Sequence, residues 1–108
     1  MHSVPPEIAA FTFGDKPRSE GQPATVTCSV DGDKPVQVRW TLDNKEITSD
    51  MNINVIPLGD AGSIIAIPRV KAKHMGWYTC TAENAAGMTQ HSAQLTVTGI
   101  NLFTETAC

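Results

Sequence analysis

The sequence predicts an all-β domain built as a sandwich of two antiparallel sheets. Three observations carry that reading. Short apolar runs alternate with polar residues at a period of two, turn-forming residues separate the runs, and no stretch sustains a helical spacing of apolar positions. Several short strands within about 100 residues pack as a sandwich.

Taken in order, the first clear strand places Ala24, Val26, Cys28 and Val30 on one face and Thr25, Thr27 and Ser29 on the other. Asp31-Gly32-Asp33-Lys34-Pro35 supplies a turn, and Val36, Val38 and Trp40 then alternate with Gln37 and Arg39. Asp43-Asn44 marks the next turn, before a short strand or edge piece around Ile47. Ile53, Val55 and Pro57 give a further strand, held to a sheet edge because proline cannot donate to the ladder. After the turn Gly59-Asp60-Ala61-Gly62, Ile65 and Ile67 open another strand, with Val55 and Ile65 expected to face the core. Tyr78, Cys80 and Ala82 alternate with Trp77, Thr79 and Thr81, and beyond Asn84-Ala85-Ala86-Gly87 a last strand turns Ala93, Leu95 and Val97 inward.

Residues 5–98 are expected to form one domain, with 1–4 and 99–108 as linker or residues added for expression. Pro5-Pro6 has the stiffness of a segment joining neighbouring domains. The hydrophobic share of 41% suits a packed core and argues against a disordered chain. A net charge of -3 argues against a nucleic-acid partner, which selects a basic face. No apolar run approaches the roughly 20 residues that span a bilayer, and the start lacks the apolar stretch of a secretory signal. Membrane attachment is expected only through a segment of a parent chain.

Cys28 and Cys80 fall on the inward phase of strands that belong to opposite sheets in an aligned sandwich, and Trp40 follows the first by twelve residues. Gly21 stands seven residues before Cys28, Tyr78 two before Cys80, and Ile65, Ile67 and Val70 lead into His74-Met75-Gly76-Trp77-Tyr78-Thr79-Cys80. In this the chain resembles the immunoglobulin superfamily over about Pro5 to Thr98. The resemblance implies a Greek-key sandwich of the intermediate, or I-set, type. It implies a Cys28–Cys80 disulfide, a core signature of Trp40, Tyr78, Ile65 and Ile67, and a tyrosine corner at Tyr78. The other state, two reduced thiols beside Trp40 as in intracellular domains of this fold, stays open. Cys108 has no partner in this scheme; it is a free thiol, an intermolecular link or a residue introduced for expression.

The superfamily usually has aspartate where this chain has His74, so the usual pairing with a basic residue is not assumed. His74, Pro5-Pro6-Glu7-Ile8, Phe11-Thr12-Phe13-Gly14, Val38-Arg39-Trp40 and Glu83-Asn84-Ala85-Ala86-Gly87 are similar to the variable immunoglobulin domains of the arthropod Down-syndrome cell-adhesion-molecule (Dscam) family. That resemblance implies a cell-surface protein with flanking immunoglobulin domains. It also implies antiparallel pairing with an identical copy through the sheet lettered A-B-D-E.

Nothing in the chain reads as a catalytic arrangement. His2, His74 and His91 have no neighbouring nucleophile or base, and no zinc or nucleotide motif occurs. Asp31 and Asp33 flank Gly32 but fall short of a calcium cage. No cofactor, metal or catalytic residue is expected. Arg69, Lys71 and Lys73 form a small basic patch, most simply a solvated loop.

Function is expected on the outward faces. On the sheet holding Cys28 the outward set is Thr25, Thr27, Asn54, Ile56, Ile64 and Ala66, whose two isoleucines make a desolvatable patch. This is the candidate homophilic interface. The opposite sheet offers Gln37, Arg39, Thr41, Trp77, Thr79 and Thr81, with Arg39 and Trp77 as the alternative interface. Two other readings stand beside homophilic recognition: a structural spacer domain of a giant muscle-type protein, and a receptor domain that binds a different protein.

Overall fold

A computed structural model describes residues 4–14 and 16–98; His2, Cys108 and the segment 99–108 lie outside the described residues. Ten strands follow one another: β1 (Glu7–Ile8), β2 (Arg18–Ser19), β3 (Ala24–Asp31), β4 (Gln37–Leu42), β5 (Lys45–Glu46), β6 (Asn54–Pro57), β7 (Gly62–Ile67), β8 (Gly76–Asn84), β9 (Gly87–Leu95) and β10 (Val97–Thr98). One four-stranded sheet has the order β1-β3-β7-β6 and the other β5-β4-β8-β9, each antiparallel throughout. A parallel pair, β10 with β2, departs from the expected all-antiparallel sandwich: the N-terminal segment pairs with β3 at Glu7–Ile8 and with the C-terminal strand at Arg18–Ser19.

The core forms where the inward phases of both sheets meet. Val26, Cys28, Ile65 and Ile67 face Trp40, Tyr78, Cys80 and Leu95, with Phe11 and Phe13 closing one side. Phe11 packs tilted on Trp40 with ring centroids 5.5 Å apart, and Phe13 meets Tyr78 edge-on at 5.3 Å. Cys28 and Cys80 are joined across the sheets, their Cα atoms 6.4 Å apart.

Tyr78 Oη donates to the His74 carbonyl at 2.8 Å, which ties β8 to the turn before it. Burial raises the Tyr78 phenol above its ordinary value, and the nearby Asp43 carboxylate acts in the same direction. The unfolded chain therefore releases this proton first. Stability is fully present below the free phenol's pKa of about 10 and falls as pH rises above it. Tyr78 is the single tyrosine in the chain, so in an alkaline titration tyrosinate absorbance should appear together with loss of near-UV circular dichroism. A phenol that ionises near pH 10 while the domain stays folded would contradict its burial.

His74 is almost fully buried, at 1% exposure. Its Nδ1 accepts the Lys71 N–H at 2.9 Å, so the ring proton sits on Nε2, 2.9 Å from the Met51 carbonyl that accepts it. A neutral imidazole thus links the turn before β8 to the turn before β6 through two backbone groups.

Two expectations are corrected. Val55 pairs with Ile65 but is 45% exposed, because β6 is the edge strand of its sheet; Ile53, just before it, is the buried residue there. Thr81 keeps its outward phase yet is only 4% exposed. It lies in register between Arg39 and Gln90, and Gln90 Nε2 donates to its hydroxyl at 3.2 Å. Val4, counted with the linker, exchanges backbone and side-chain hydrogen bonds with Asp33, and Asn84 donates to its carbonyl.

Candidate recognition face

The six outward residues of the β1-β3-β7-β6 sheet fall into two rows set by strand register. Thr25, Ala66 and Asn54 stand side by side across β3, β7 and β6, and Thr27, Ile64 and Ile56 form the next row. Cross-strand partners share a face, so these six side chains make one continuous patch with no charge. Ile56 is 45% exposed; Ile64 and Ala66, flanked on both sides, are half-buried. The next row continues with Ser29 and Gly62, and Leu58, which the sequence reading missed, stands exposed beside Gly62 with its N–H on the Gly62 carbonyl at 2.9 Å. The missed signal was an apolar residue directly after the edge-strand proline.

Charges gather at the two ends of this face. At one end Glu7 and Asp31 are directly opposed across β1 and β3, with Asp33 in the following turn and Asp60 in the 3-10 turn that leads into β7. Their oxygens also serve the backbone: Asp31 accepts from Gly32 N–H, Asp33 from Val4 N–H at 2.7 Å, and Asp60 from Val36 N–H at 3.0 Å. At the other end Arg69 and Lys71 line a shallow depression with Asn52 and Pro68, just beyond the Thr25–Ala66–Asn54 row. Lys73 follows in the same turn. The Asp50 carboxyl lies below its usual value, first through the Thr48 hydroxyl, then through its own backbone amide and, more weakly, through Lys73.

On the opposite sheet Trp77 is 51% exposed and Arg39 is exposed, but the structure does not bring them together. Trp77 pairs with Gln94, whereas Arg39 pairs with Thr81, four positions further along β8, or about 14 Å. Trp77 is fixed from its backbone, where its N–H donates to Asp43 Oδ1 at 2.9 Å and its carbonyl accepts the Asp43 N–H at 2.9 Å. His91 packs edge-on against Phe11, and its Nε2 lies 2.9 Å from the Phe11 carbonyl. Among the described residues, no group of three or more His, Cys, Asp or Glu side chains is placed to hold a metal, and no helix is long and apolar enough to cross a membrane.

The family model of the immunoglobulin I-set domain matches residues 10–97. The chain belongs to the immunoglobulin I-set family. Its curated relatives include the cell adhesion molecule Dscam1 of Drosophila melanogaster, 34% identical over 96 residues, covering 87% of this chain and 5% of that protein. Human cell adhesion molecule DSCAM is 35% identical over 96 residues, again covering 87% of the chain and 5% of the relative. Titin of Drosophila melanogaster is 35% identical over 78 residues, covering 72% of the chain and under 1% of its own length. The I-set domain thus spans a small fraction of these relatives. Among solved structures it is similar to the Dscam1 Ig7 domain, isoform 5, at 38% identity and a TM-score of 0.86, covering 90% of this chain and all of that one. It is also similar to the titin I-band fragment I67–I69, at 31% identity and a TM-score of 0.76, covering 86% of this chain and 32% of that one. The family is one of adhesion and structural proteins, not an enzyme family.

Proposed function

We propose that this I-set domain, residues 5–98, is an extracellular recognition module of a Dscam-like cell-adhesion receptor, flanked by further immunoglobulin domains. It pairs with an identical copy through the outer face of the β1-β3-β7-β6 sheet, the strands lettered A, B, E and D in the family. The carrying observation is the uncharged two-row patch of Thr25, Ala66, Asn54, Thr27, Ile64 and Ile56. A two-fold contact sets a surface against itself, and a surface without charge meets no like charge at its centre. Weak pairing by one domain is offset when several domains of a parent chain engage together.

Sedimentation of the domain over a wide concentration range, with free thiols alkylated, should show a reversible monomer–dimer equilibrium. Ile64→Lys should weaken it at least about tenfold, since each copy then brings a cation to the same contact, while thermal stability changes little. Unchanged association in that variant would remove this face. A second reading rests on the exposed Trp77: a receptor domain for a different protein would lose its ligand on Trp77→Ala and keep self-association. The similarity to titin domains keeps a spacer role in play, for which the domain stays monomeric and neither substitution matters.

A further inference from the structure

Arg69, Lys71 and Lys73, expected from the sequence to lie on a solvated loop, stand instead on a hydrogen-bonded backbone. Val70, between the first two, is fully buried. Its N–H donates to the Gln22 carbonyl at 2.9 Å and its carbonyl accepts the Gly21 N–H at 2.8 Å, which ties the segment to the turn before β3. The Lys71 N–H donates to His74 Nδ1 and the Lys71 carbonyl accepts the His74 N–H, both at 2.9 Å. Tyr78 Oη then holds the His74 carbonyl from below. All three cationic side chains are exposed. Alternate positions are at most about 7 Å apart along a chain, so three positive charges share a strip of about 14 Å or less.

We propose that this strip is a binding site for a linear sulfated polysaccharide, whether or not the domain pairs with a copy of itself. Charge complementarity carries the assignment. The segment Pro68-Arg69-Val70-Lys71-Ala72-Lys73-His74-Met75 contains no carboxylate. Where the superfamily usually has aspartate, the buried His74 spends both ring nitrogens on backbone groups and brings no negative charge to its neighbours. Carboxylates stand to either side instead. β7 lies between β3 and β6, so the turn before β3, with Glu20, borders the strip on one side and the turn before β6, with Asp50, on the other. The positive strip is therefore one chain wide. A linear polyanion lies along it, whereas a flat anionic surface meets the bordering carboxylates as well. At the far end of β3 and β7, Glu7, Asp31, Asp33 and Asp60 repel the same polyanion and direct it here.

The contacts follow from the side chains. Arg69 and Lys71 line a depression of about 280 Å³ with Asn52 and Pro68, which seats one sulfated ring while the chain runs on past Lys73. The Arg69 guanidinium holds sulfate oxygens in pairs, and the two lysines act as point charges. The Asn52 amide donates to a hydroxyl or sulfate oxygen. Because the backbone beneath is already fixed, binding orders little beyond these side chains.

The test titrates a heparin octasaccharide into the isotope-labelled, thiol-alkylated domain and follows amide resonances by NMR at low and physiological salt. Shifts should cluster at Asn52 and residues 69–74, and affinity should fall with salt as about three ions or fewer are displaced. Arg69→Ala/Lys71→Ala/Lys73→Ala should weaken binding at least about tenfold, while Lys34→Ala/Lys45→Ala, which removes two cations elsewhere, should change it less than about twofold. All five positions are exposed, and near-UV circular dichroism confirms folding. No binding by the wild type at low salt overturns the proposal, as do equal binding of a desulfated octasaccharide, shifts centred away from the strip, or equal weakening in both variants. Phosphatidylserine vesicles that bind as tightly as the octasaccharide, and are lost in the same triple variant, would replace the polysaccharide with a membrane and overturn it too. A domain that stays monomeric in sedimentation yet binds the octasaccharide leaves this site standing and removes only the homophilic reading.

Discussion

Gly62→Ala is expected to leave the domain largely unfolded, or to lower its Tm by roughly 15 °C or more. Gly62 opens β7 with φ 133° and ψ -146°, a region essentially closed to residues with a Cβ. A Cβ built there lies 1.8 Å from the Cys28 carbonyl oxygen and 3.0 Å from its carbon. The obstructing atoms are backbone, so no side-chain rotation relieves the clash. Relief requires β3 and β7 to part where Ser29 pairs with Gly62 and Cys28 with Ser63, at the strand that carries the inter-sheet disulfide. A loss of about 4 kcal/mol or more follows, against the roughly 5–15 kcal/mol that holds a domain together.

Gly59→Ala is the control. Gly59 also has a positive φ, 65°, but a Cβ there meets nothing within 4 Å, so only the left-handed backbone is penalised, at about 1 kcal/mol. Denaturant unfolding of the two variants separates close approach from turn geometry. Gly62→Ala within about 1 kcal/mol of wild type would mean that β3 and β7 do not approach so closely. The same glycine lies in the row after Thr27–Ile64–Ile56, so this close backbone approach borders the candidate face.

The sandwich and its central pairings were legible because β3, β4 and β8 are long enough to show their period. Trp40, Tyr78 and the two cysteines follow from alternation plus spacing, and their burial follows from that phase. The strands β1 and β2 were not legible, since two residues define no period and their pairings are fixed by partners 22 or more residues away; Val97 faces inward as alternation implies, but its parallel pairing with Arg18 was not legible. Phase also differs from burial. Val55 has the inward phase and stays exposed because it lies on an edge; Thr81 has the outward phase and is covered by Gln90. The six residues of the candidate face could be named one by one from alternation. Their assembly into two rows, the addition of Leu58 and the opposition of Glu7 to Asp31 depend on register between strands, which a single strand's sequence does not contain.

Reduction of the Cys28–Cys80 bond is expected to cost about 4 kcal/mol, the chain-entropy value for a closed loop spanning a sequence separation of 52 residues. Both cysteines are fully buried in the core cluster with Trp40, so two reduced thiols still fill much of the same space and the cost falls mainly on the unfolded chain. The Cys28→Ala/Cys80→Ala protein loses the cross-link and the sulfur atoms together. It should be less stable than the reduced wild type by a further 1–2 kcal/mol or so, the cavity contribution. Protein made in an oxidising compartment should show one reactive thiol in denaturant, from Cys108, and three after reduction. If three thiols titrate without reduction, the bridge is open in that protein and the spacer reading gains support. If reduction exposes three thiols and leaves the unfolding midpoint unchanged, the bridge does not stabilise the fold. The compartment therefore bears on function: with the bond closed, the β3 strand that carries Thr25 and Thr27 is anchored through Cys28 to the opposite sheet. That anchor ties the candidate face covalently to the opposite sheet, which two reduced thiols would not do.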